Sequence, residues 1–455
     1  MITESFCRRS FLKGVSGGFG YLAMGGFPAA GMAASGPHFA PRAKRVIRLF
    51  MQGGPSHVDT FDYKPELIAN DGKTVEATVF SGGLDKPVKG ELMQPQWKFR
   101  QHGESGLWVS DVWRQLAAHA DDLCLLNGMH TDVAAHPQAT IMAHTGSIIF
   151  VRPSIGSWVL HGLGVENRNL PGFVAINPLN RLGGAQNYGS AFLPASLQAT
   201  AIINNRIENL ANTNLSASEQ RKQLELLQSM NREALARVGG DAGMAGVMES
   251  FDLAFNMQDV APEILDISKE PAAIQEMYGI GGPKRAAAGF GAQCLMARRL
   301  AEAGVRYIEL TQTGWDNHRG LRKALQGRVD AIDQPIAGLI ADLKQRGMLE
   351  ETLIMWGGEF GRTPVAQDAK RDGRRHNNRG YSMWLCGGGV RGGMRHGATD
   401  PLGFEAVENK THIHDLNATV LHLLGLDHEK LTYRYSGRDF RLTDVYGKVQ
   451  KDIIA

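Results

Sequence analysis

The segment Thr352–Gly389 has the sequence TLIMWGGEFGRTPVAQDAKRDGRRHNNRGYSMWLCGGG, which contains two short apolar runs separated by a polar loop. The runs Thr352–Trp356 and Tyr381–Cys386 have the length and continuous apolar character of strands that are buried on both faces. Glycines follow both runs, and the loop between them carries Glu359 and His376. Because ligands of open α/β sheets bind at the carboxyl ends of the strands, this segment predicts a sheet with a functional site at its edge.

Further apolar runs extend the predicted sheet. Val46–Met51, Leu123–Leu126 and Arg306–Leu310 have strand character, and segments with helical spacing lie between them. Strands that alternate with helices indicate a parallel sheet with helices on both faces. The sequence therefore predicts an α/β fold, a three-layer α/β/α sandwich with a mostly parallel sheet. A more helical segment, from about 195 to about 283, is predicted to be an insertion or cap.

The composition is that of a globular protein and excludes several classes. Of the 455 residues, 43% are hydrophobic and 21% are charged, so the chain can bury a large core. A formal net charge of +3 does not favour nucleic acid or an anionic membrane as a partner. The four cysteines are scattered, which argues against a disulfide framework or a zinc ribbon. No Gly-x-x-x-x-Gly-Lys-Ser/Thr loop is present, which disfavours a nucleotide-binding enzyme.

The first 35 residues predict export. Cys7–Lys13 has the sequence CRRSFLK, which resembles the twin-arginine motif, and a weakly hydrophobic, glycine-rich segment follows. This layout is typical of a signal peptide, and its apolar part is too short for a stable membrane span. We therefore predict a twin-arginine signal peptide over residues 1–35, the twin-arginine translocase as a partner, and a periplasmic or secreted domain over residues 36–455. The alternative is a disordered basic tail.

Residues of the kind that bind metals lie where the predicted strands end. Asp59 follows the first strand, Asp316 and His318 follow a later one, and Glu359 and His376 follow the Thr352 run. Carboxylates and imidazoles without cysteine favour one or two divalent ions, zinc, manganese or calcium, over a thiolate site. Each residue also has a simpler explanation, such as a turn, a cap, a surface ion pair or hydration. Their shared position at one predicted sheet edge is what favours a metal site.

Four motifs connect the chain to a known family. They are Gly53–Asp62 (GGPSHVDTFD), Gly314–His318 (GWDNH), Gly358–Pro364 (GEFGRTP) and the glycines Gly387–Gly389. Over nearly the whole mature chain, the sequence resembles an uncharacterised bacterial family catalogued as domain of unknown function 1501 and often labelled sulfatase-like. More distantly, it resembles the alkaline phosphatase superfamily of phosphatases, sulfatases and phosphomutases.

The resemblance implies an alkaline phosphatase-like fold with two divalent ions at the strand ends. Asp59 would match the metal aspartate of the first strand. Asp316 and His318 would match an aspartate–histidine pair for one ion. Glu359 would stand for the aspartate of an Asp-His-Gly motif, and His376 would match a late histidine ligand.

The chain departs from the superfamily at two positions. Phe360 replaces the histidine of Asp-His-Gly, which puts one metal position in doubt. His136 falls where sulfatases have the cysteine of Cys-x-Pro-Ser-Arg, so a formylglycine mechanism is excluded. Thr140 is an alternative nucleophile or a structural residue, and His136 and His130 are ligand, acid–base or structural candidates. Arg362 is a candidate clamp for an anion through its planar guanidinium.

The sequence thus leads to two functions of different classes. The favoured one is an exported metal-dependent hydrolase of a phosphate or sulfate ester, carried by a small molecule or a glycan. Attack by a metal-activated water or by Thr140 is expected. The alternative is a non-catalytic periplasmic protein that keeps a metal and binds a glycan or a partner protein. A third possibility, phosphoryl transfer to another acceptor, shares the same fold.

Overall fold

A computed structural model of the chain describes residues 36–81, 84–237, 241–282 and 285–455. The predicted signal peptide, residues 1–35, lies outside these ranges. None of the helices in the described ranges combines the length and the apolar character that a membrane crossing requires.

Nineteen strands and ten α-helices lie in the described ranges. The strands are β1 (Arg45–Gln52), β2 (Thr74–Ser81), β3 (Leu84–Glu91), β4 (Phe99–His102), β5 (Leu107–Ser110), β6 (Leu123–His130), β7 (Phe173–Ile176), β8 (Thr200–Ile202), β9 (Tyr307–Thr313), β10 (Thr352–Gly357), β11 (Gly361–Ala366), β12 (Arg374–Asn377), β13 (Tyr381–Cys386), β14 (Met394–His396), β15 (Ala398–Thr399), β16 (Ala406–Glu408), β17 (Thr411–His412), β18 (Tyr433–Tyr435) and β19 (Arg438–Phe440). The α-helices are α1 (His57–Thr60), α2 (Pro65–Ala69), α3 (His136–Thr145), α4 (Ile155–Leu163), α5 (Ala217–Arg237), α6 (Ala242–Leu265), α7 (Ala272–Met277), α8 (Arg285–Glu302), α9 (Leu321–Gln345) and α10 (Ile413–Leu423).

A central sheet organises the molecule. Its strand order is β14-β6-β13-β10-β1-β9-β7-β8, and β17 also pairs with β6. The pairs β1–β10, β1–β9, β9–β7 and β7–β8 are parallel, whereas β13 is antiparallel to both β10 and β6. The antiparallel return has a physical reason: the chain between β10 and β13 forms the short antiparallel pair β11–β12 instead of a helical crossover. The predicted α/β fold with a mostly parallel sheet is therefore confirmed.

The central strands are buried on both faces. Along β1, Val46 and Phe50 pack into one core, and Ile47, Leu49 and Met51 pack into the other, as the alternation of strand side chains requires. Helices α8 and α9 cover the second of these cores, and α4 and α10 cover the first. The chain is thus layered as helix, sheet and helix. In the segment from about 195 to about 283, β8 joins the edge of the sheet, and α5, α6 and α7 follow it.

A group of stacked aromatic rings lies beneath the carboxyl ends of the central strands. Trp356 of β10 is fully buried and stacks parallel to Trp384 of β13, with 6.0 Å between ring centroids. Its edge contacts are with Phe61, Trp113 and Trp315. Because Trp315 immediately precedes Asp316, this packing fixes the backbone from which that carboxylate projects.

We predict that Trp356→Ala lowers the free energy of unfolding by about 3–5 kcal/mol, because it removes a fully buried indole from a packed aromatic group. Urea denaturation followed by circular dichroism measures the change. As a control, Ile149→Ala removes a side chain that is 78% exposed and should change the stability by less than about 0.5 kcal/mol. Equal stability of the Trp356→Ala variant and the parent would contradict the packing described.

Candidate metal centre

The loops that follow β1, β9 and β10 meet at very short range. Gly53 and Gly54 have φ angles of +123° and +77°, which residues other than glycine rarely adopt. A Cβ atom on Gly53 would lie 2.4 Å from the backbone nitrogen of Asp316, and one on Gly54 would lie 2.8 Å from the ring of Phe360. The two glycines therefore let the three strand ends come together.

Three histidines converge on one oxygen at this meeting point. The Nε2 atom of His318 lies 3.0 Å from Oδ1 of Asp316, and the Nε2 atoms of His136 and His376 each lie 3.3 Å from it. His318 Nε2 and His376 Nε2 are themselves 2.9 Å apart. His136 comes from the start of α3, and His376 comes from β12. We call these four residues the histidine cluster.

The opposite nitrogen of each imidazole is held by an oxygen. His136 Nδ1 lies 2.5 Å from Glu359 Oε1, His318 Nδ1 lies 2.9 Å from Gln367 Oε1, and His376 Nδ1 lies 2.7 Å from the carbonyl of Ala134. A carbonyl or ionised carboxylate oxygen only accepts, so each Nδ1 carries the proton. The lone pairs of neutral imidazoles then lie on the Nε2 atoms. Metal-binding histidines commonly have this second contact, which orients the ring.

The donor set fits a single divalent ion. Ligand atoms of His136, Asp316 and His376 all lie within 4.8 Å of one another. His136 Nε2 is buried and has no aligned hydrogen-bond partner among the described residues. Zinc–nitrogen and zinc–oxygen bonds of about 2.0–2.1 Å place tetrahedral ligand atoms roughly 3.3 Å apart, and Asp316 Oδ1 lies 3.3 Å from Nε2 of both His136 and His376. Two imidazoles and one carboxylate suit zinc or manganese better than calcium, which prefers oxygen ligands.

The charges of the cluster depend strongly on one another. Burial disfavours the Asp316 carboxylate, but the close contacts with the three histidines and the charge of Arg362 outweigh burial and hold its pKa well below the usual range. Burial also disfavours protonated His136, but its contacts with Asp316 and Glu359 are stronger and raise its pKa to about 9. For His376, burial dominates and lowers the pKa. Without a metal ion, a proton on His136 thus occupies the cluster at neutral pH.

Arg362 lies directly beside the cluster and is fully buried. Its Nη2 atom is 2.5 Å from Asp316 Oδ1, and Nη2 also donates to the carbonyl of Gly53. Its Nε atom donates to the carbonyl of Gly54 at 3.0 Å. The guanidinium, which the sequence suggested as an anion clamp, therefore connects Asp316 to the loop after β1.

Asp59 is engaged elsewhere. Its Oδ2 atom accepts from Arg374 Nε at 2.7 Å and from the hydroxyl of Ser56 at 2.5 Å, and its Oδ1 atom accepts from the backbone N–H of Gln96 at 2.8 Å. Asp59 and Arg374 are both fully buried. The structure thus places Asp59 in a buried ion pair and does not bring it into the histidine cluster.

The remaining candidates surround the cluster. Glu359 is fully buried, and besides His136 it accepts the N–H of Gly53 at 2.9 Å. The ring of Phe360 lies 4.7 Å from His136 and 4.8 Å from His376, between centroids, so it packs against two of the histidines. Thr140 is fully buried, and its hydroxyl has no partner among the described residues.

Sequence reasoning missed the groups that orient the histidines. Gln367 and the carbonyl of Ala134 hold His318 and His376, and neither belongs to a motif with a known spacing. A backbone carbonyl leaves no signal in a sequence, and a single glutamine leaves almost none. His130 was a candidate beside His136, and the structure instead places its ring next to that of His412, with 5.0 Å between ring centroids and a tilt of 56°.

Comparisons with known proteins identify a family. A sequence model described as "Protein of unknown function (DUF1501)" matches residues 43–454. A search of curated proteins finds no match.

Several solved structures are similar to the chain. The lipoteichoic acid synthase LtaP from Listeria monocytogenes is 9% identical over 89% of this chain and 76% of its own, with a TM-score of 0.36. The sulfatase PsFucS1 from Pseudoalteromonas sp. is 12% identical over 85% and 69%, with a TM-score of 0.36. The alkaline phosphatase from the Antarctic bacterium TAB5 is 12% identical over 84% and 98%, with a TM-score of 0.31. Similarity at this level does not transfer a function.

We predict that the affinity of the chain for Zn²⁺ rises between about pH 7 and pH 9, by up to about tenfold per pH unit. In the metal-free protein, the raised pKa of His136, about 9, keeps a proton on this residue across that interval. Zinc must displace the proton, so raising the pH favours binding until His136 is neutral. Competition with a chromogenic chelator measures the affinity at each pH.

The His136→Gln variant tests the assignment of that proton. It should bind Zn²⁺ more weakly and lose this part of the pH dependence, because the titrating group is gone. The control Arg168→Gln changes an exposed residue outside the cluster and should behave as the parent. An affinity that stays constant or falls over this pH interval would show that His136 does not hold the competing proton.

Proposed function

The chain belongs to the family described as protein of unknown function DUF1501. From its histidine cluster and the sequence of residues 1–35, we propose that it is an exported metal-dependent hydrolase of a phosphate or sulfate ester. One observation carries the proposal: three imidazole Nε2 atoms are directed at one carboxylate oxygen, with every Nδ1 occupied by an oxygen acceptor. Such a set of converging lone pairs is stabilised by a cation. Zinc or manganese is the proposed ion.

The proposed roles follow from the positions of the side chains. His136, Asp316 and His376 would hold the ion, with His318 beside them, and the ion supplies electrostatic stabilisation of the charge that develops on a phosphoryl or sulfuryl group. Glu359 accepts from Nδ1 of His136 and so fixes the ring with its Nε2 atom directed at the cluster. The ester would approach from the exposed side of the cluster, where the Asp316 side chain is 42% exposed.

A second candidate function has specific support. Arg362 is fully buried and bound to backbone carbonyls and Asp316, and Thr140 is fully buried, so neither side chain faces the exposed side of Asp316. A non-catalytic protein that retains the metal and binds a glycan or a partner protein is consistent with this burial. The two candidates differ in whether the loaded protein cleaves an ester.

We predict that the protein loaded with Zn²⁺ or Mn²⁺ hydrolyses p-nitrophenyl phosphate or p-nitrophenyl sulfate. His376→Ala should reduce both the metal content and the rate by more than about tenfold, because a ligand is lost along with its orientation by the Ala134 carbonyl. Elemental mass spectrometry and release of nitrophenol measure the two quantities. His38→Ala changes an exposed histidine outside the cluster and serves as the control.

Each result separates the candidates. Undiminished hydrolysis by a His376→Ala protein that has lost its metal would exclude the proposed hydrolase. A stoichiometric metal without hydrolysis of phosphate or sulfate esters would favour the binding protein.

Export is part of the proposal and is supported by the sequence of residues 1–35 alone. We predict that Arg8→Lys combined with Arg9→Lys leaves the protein in the cytoplasm, because the paired arginines are the feature that resembles the twin-arginine motif. Cell fractionation with immunoblotting measures the distribution. The same exchange at exposed Arg168 is the control, and a doubly substituted protein that still reaches the periplasm would rule out this route.

A further inference from the structure

A cavity of about 370 Å³ opens at the edge of the central sheet, and none of the histidine cluster lines it. It lies where the β4–β5 hairpin covers strands β6 and β14. Phe61, Leu107 and Leu125 form its apolar surface, and five further side chains, described below, give it polar and aromatic character. A cavity of this size, apolar with a few placed polar groups, is of the kind that holds a small molecule.

The first feature of the cavity is an aromatic wall. Tyr63 and Trp108 both line it and stack on each other, with 4.2 Å between ring centroids and an interplanar angle of 23°. Phe99 supports Tyr63 from the hairpin, at 5.5 Å. Trp108 nevertheless remains 37% exposed, so this rigid wall keeps apolar ring surface open to solvent.

The second feature is an acceptor without a donor. Asn127 is only 2% exposed, and its Nδ2 atom donates to the carbonyl of Phe61 at 3.1 Å and to Asp62 Oδ1 at 3.4 Å. Its Oδ1 atom is buried and has no hydrogen-bond partner in the described part of the chain. Buried acceptors normally receive a hydrogen bond, so a ligand in the cavity that carries a hydroxyl or amide donor would supply the missing hydrogen bond to Asn127 Oδ1.

The third feature is an excess of positive charge. Asp62 is already neutralised, because Lys64 Nζ lies 3.1 Å from its Oδ1 and the hydroxyl of Thr399 donates to its Oδ2 at 2.5 Å. Arg395 is exposed on the edge strand β14, and its side chain forms no hydrogen bond or ion pair with any described residue. A guanidinium that is free at the mouth of a cavity suits a carboxylate, sulfate or phosphate group.

We propose that this cavity binds a small acidic saccharide. A sugar ring offers an apolar face for the aromatic wall and a hydroxyl donor for Asn127 Oδ1, and an acidic substituent pairs with Arg395. The three complementary features lie within one cavity and therefore select a molecule that carries all three groups. The site is independent of the histidine cluster and of whether that cluster is catalytic.

Titration with D-glucuronate, followed by calorimetry and tryptophan fluorescence, tests the proposal. The parent should bind this probe saturably and at least about tenfold more tightly than D-glucose, because the charged hydrogen bond to Arg395 is absent for the neutral sugar. Arg395→Gln should abolish the preference for the acid and leave thermal stability unchanged, since Arg395 has no partner to lose. Trp108→Ala should weaken the binding of both sugars.

Two controls locate the binding. Arg168→Gln alters an equally exposed arginine outside the cavity and should leave glucuronate binding unchanged. His376→Ala should also leave it unchanged, whereas loss of binding in this variant would place the sugar at the histidine cluster and overturn the proposal. Failure of the parent to bind glucuronate saturably, or full binding by Arg395→Gln, would overturn it as well. Failure of ester hydrolysis leaves these measurements unaffected.

Discussion

The close approach of the backbone at Gly53 is the constraint on which the candidate site depends. Its N–H binds the Glu359 carboxylate, its carbonyl accepts from Arg362, and its missing Cβ leaves room for the backbone of Asp316. A single residue thus sets the separation of the loops after β1, β9 and β10. Any side chain at this position would drive apart groups whose chemistry requires distances near 3 Å.

Much of the fold was predictable because its information is local. Buried strands appear as apolar runs, and strands in parallel order bring their carboxyl ends to one edge, which placed Asp316, His318, Glu359 and His376 in one region. The partner of Asp59 was not predictable, because Arg374 is 315 residues away in sequence and equally plausible arginines lie beside it. Nor could the apolar run of β13 reveal its direction, since burial on both faces looks the same in either orientation.

Buried contacts between helix α3 and the central sheet help to position the histidine cluster. Helix α3, which begins with His136, is anchored at its other end by two polar contacts: His144 Nε2 lies 2.8 Å from Glu309 Oε1 of β9, and Arg48 of β1 donates to the carbonyl of Ala143 at 3.1 Å. These contacts are fully buried, so they resist displacement by water. The helix is thereby fixed to β1 and β9, and the loop after β9 carries Asp316 and His318.

The β11–β12 pair couples several of these groups mechanically. Arg362 and His376 are directly opposite in its register, and Arg374 of the same pair holds Asp59. Outward movement of this pair would withdraw a histidine from the cluster, a cation from Asp316 and the counter-charge from Asp59 together. The two strands supply the arginines that neutralise Asp316 and Asp59. Displacing the pair would therefore leave two carboxylates without their cations, so we expect the site to form or to come apart as a unit.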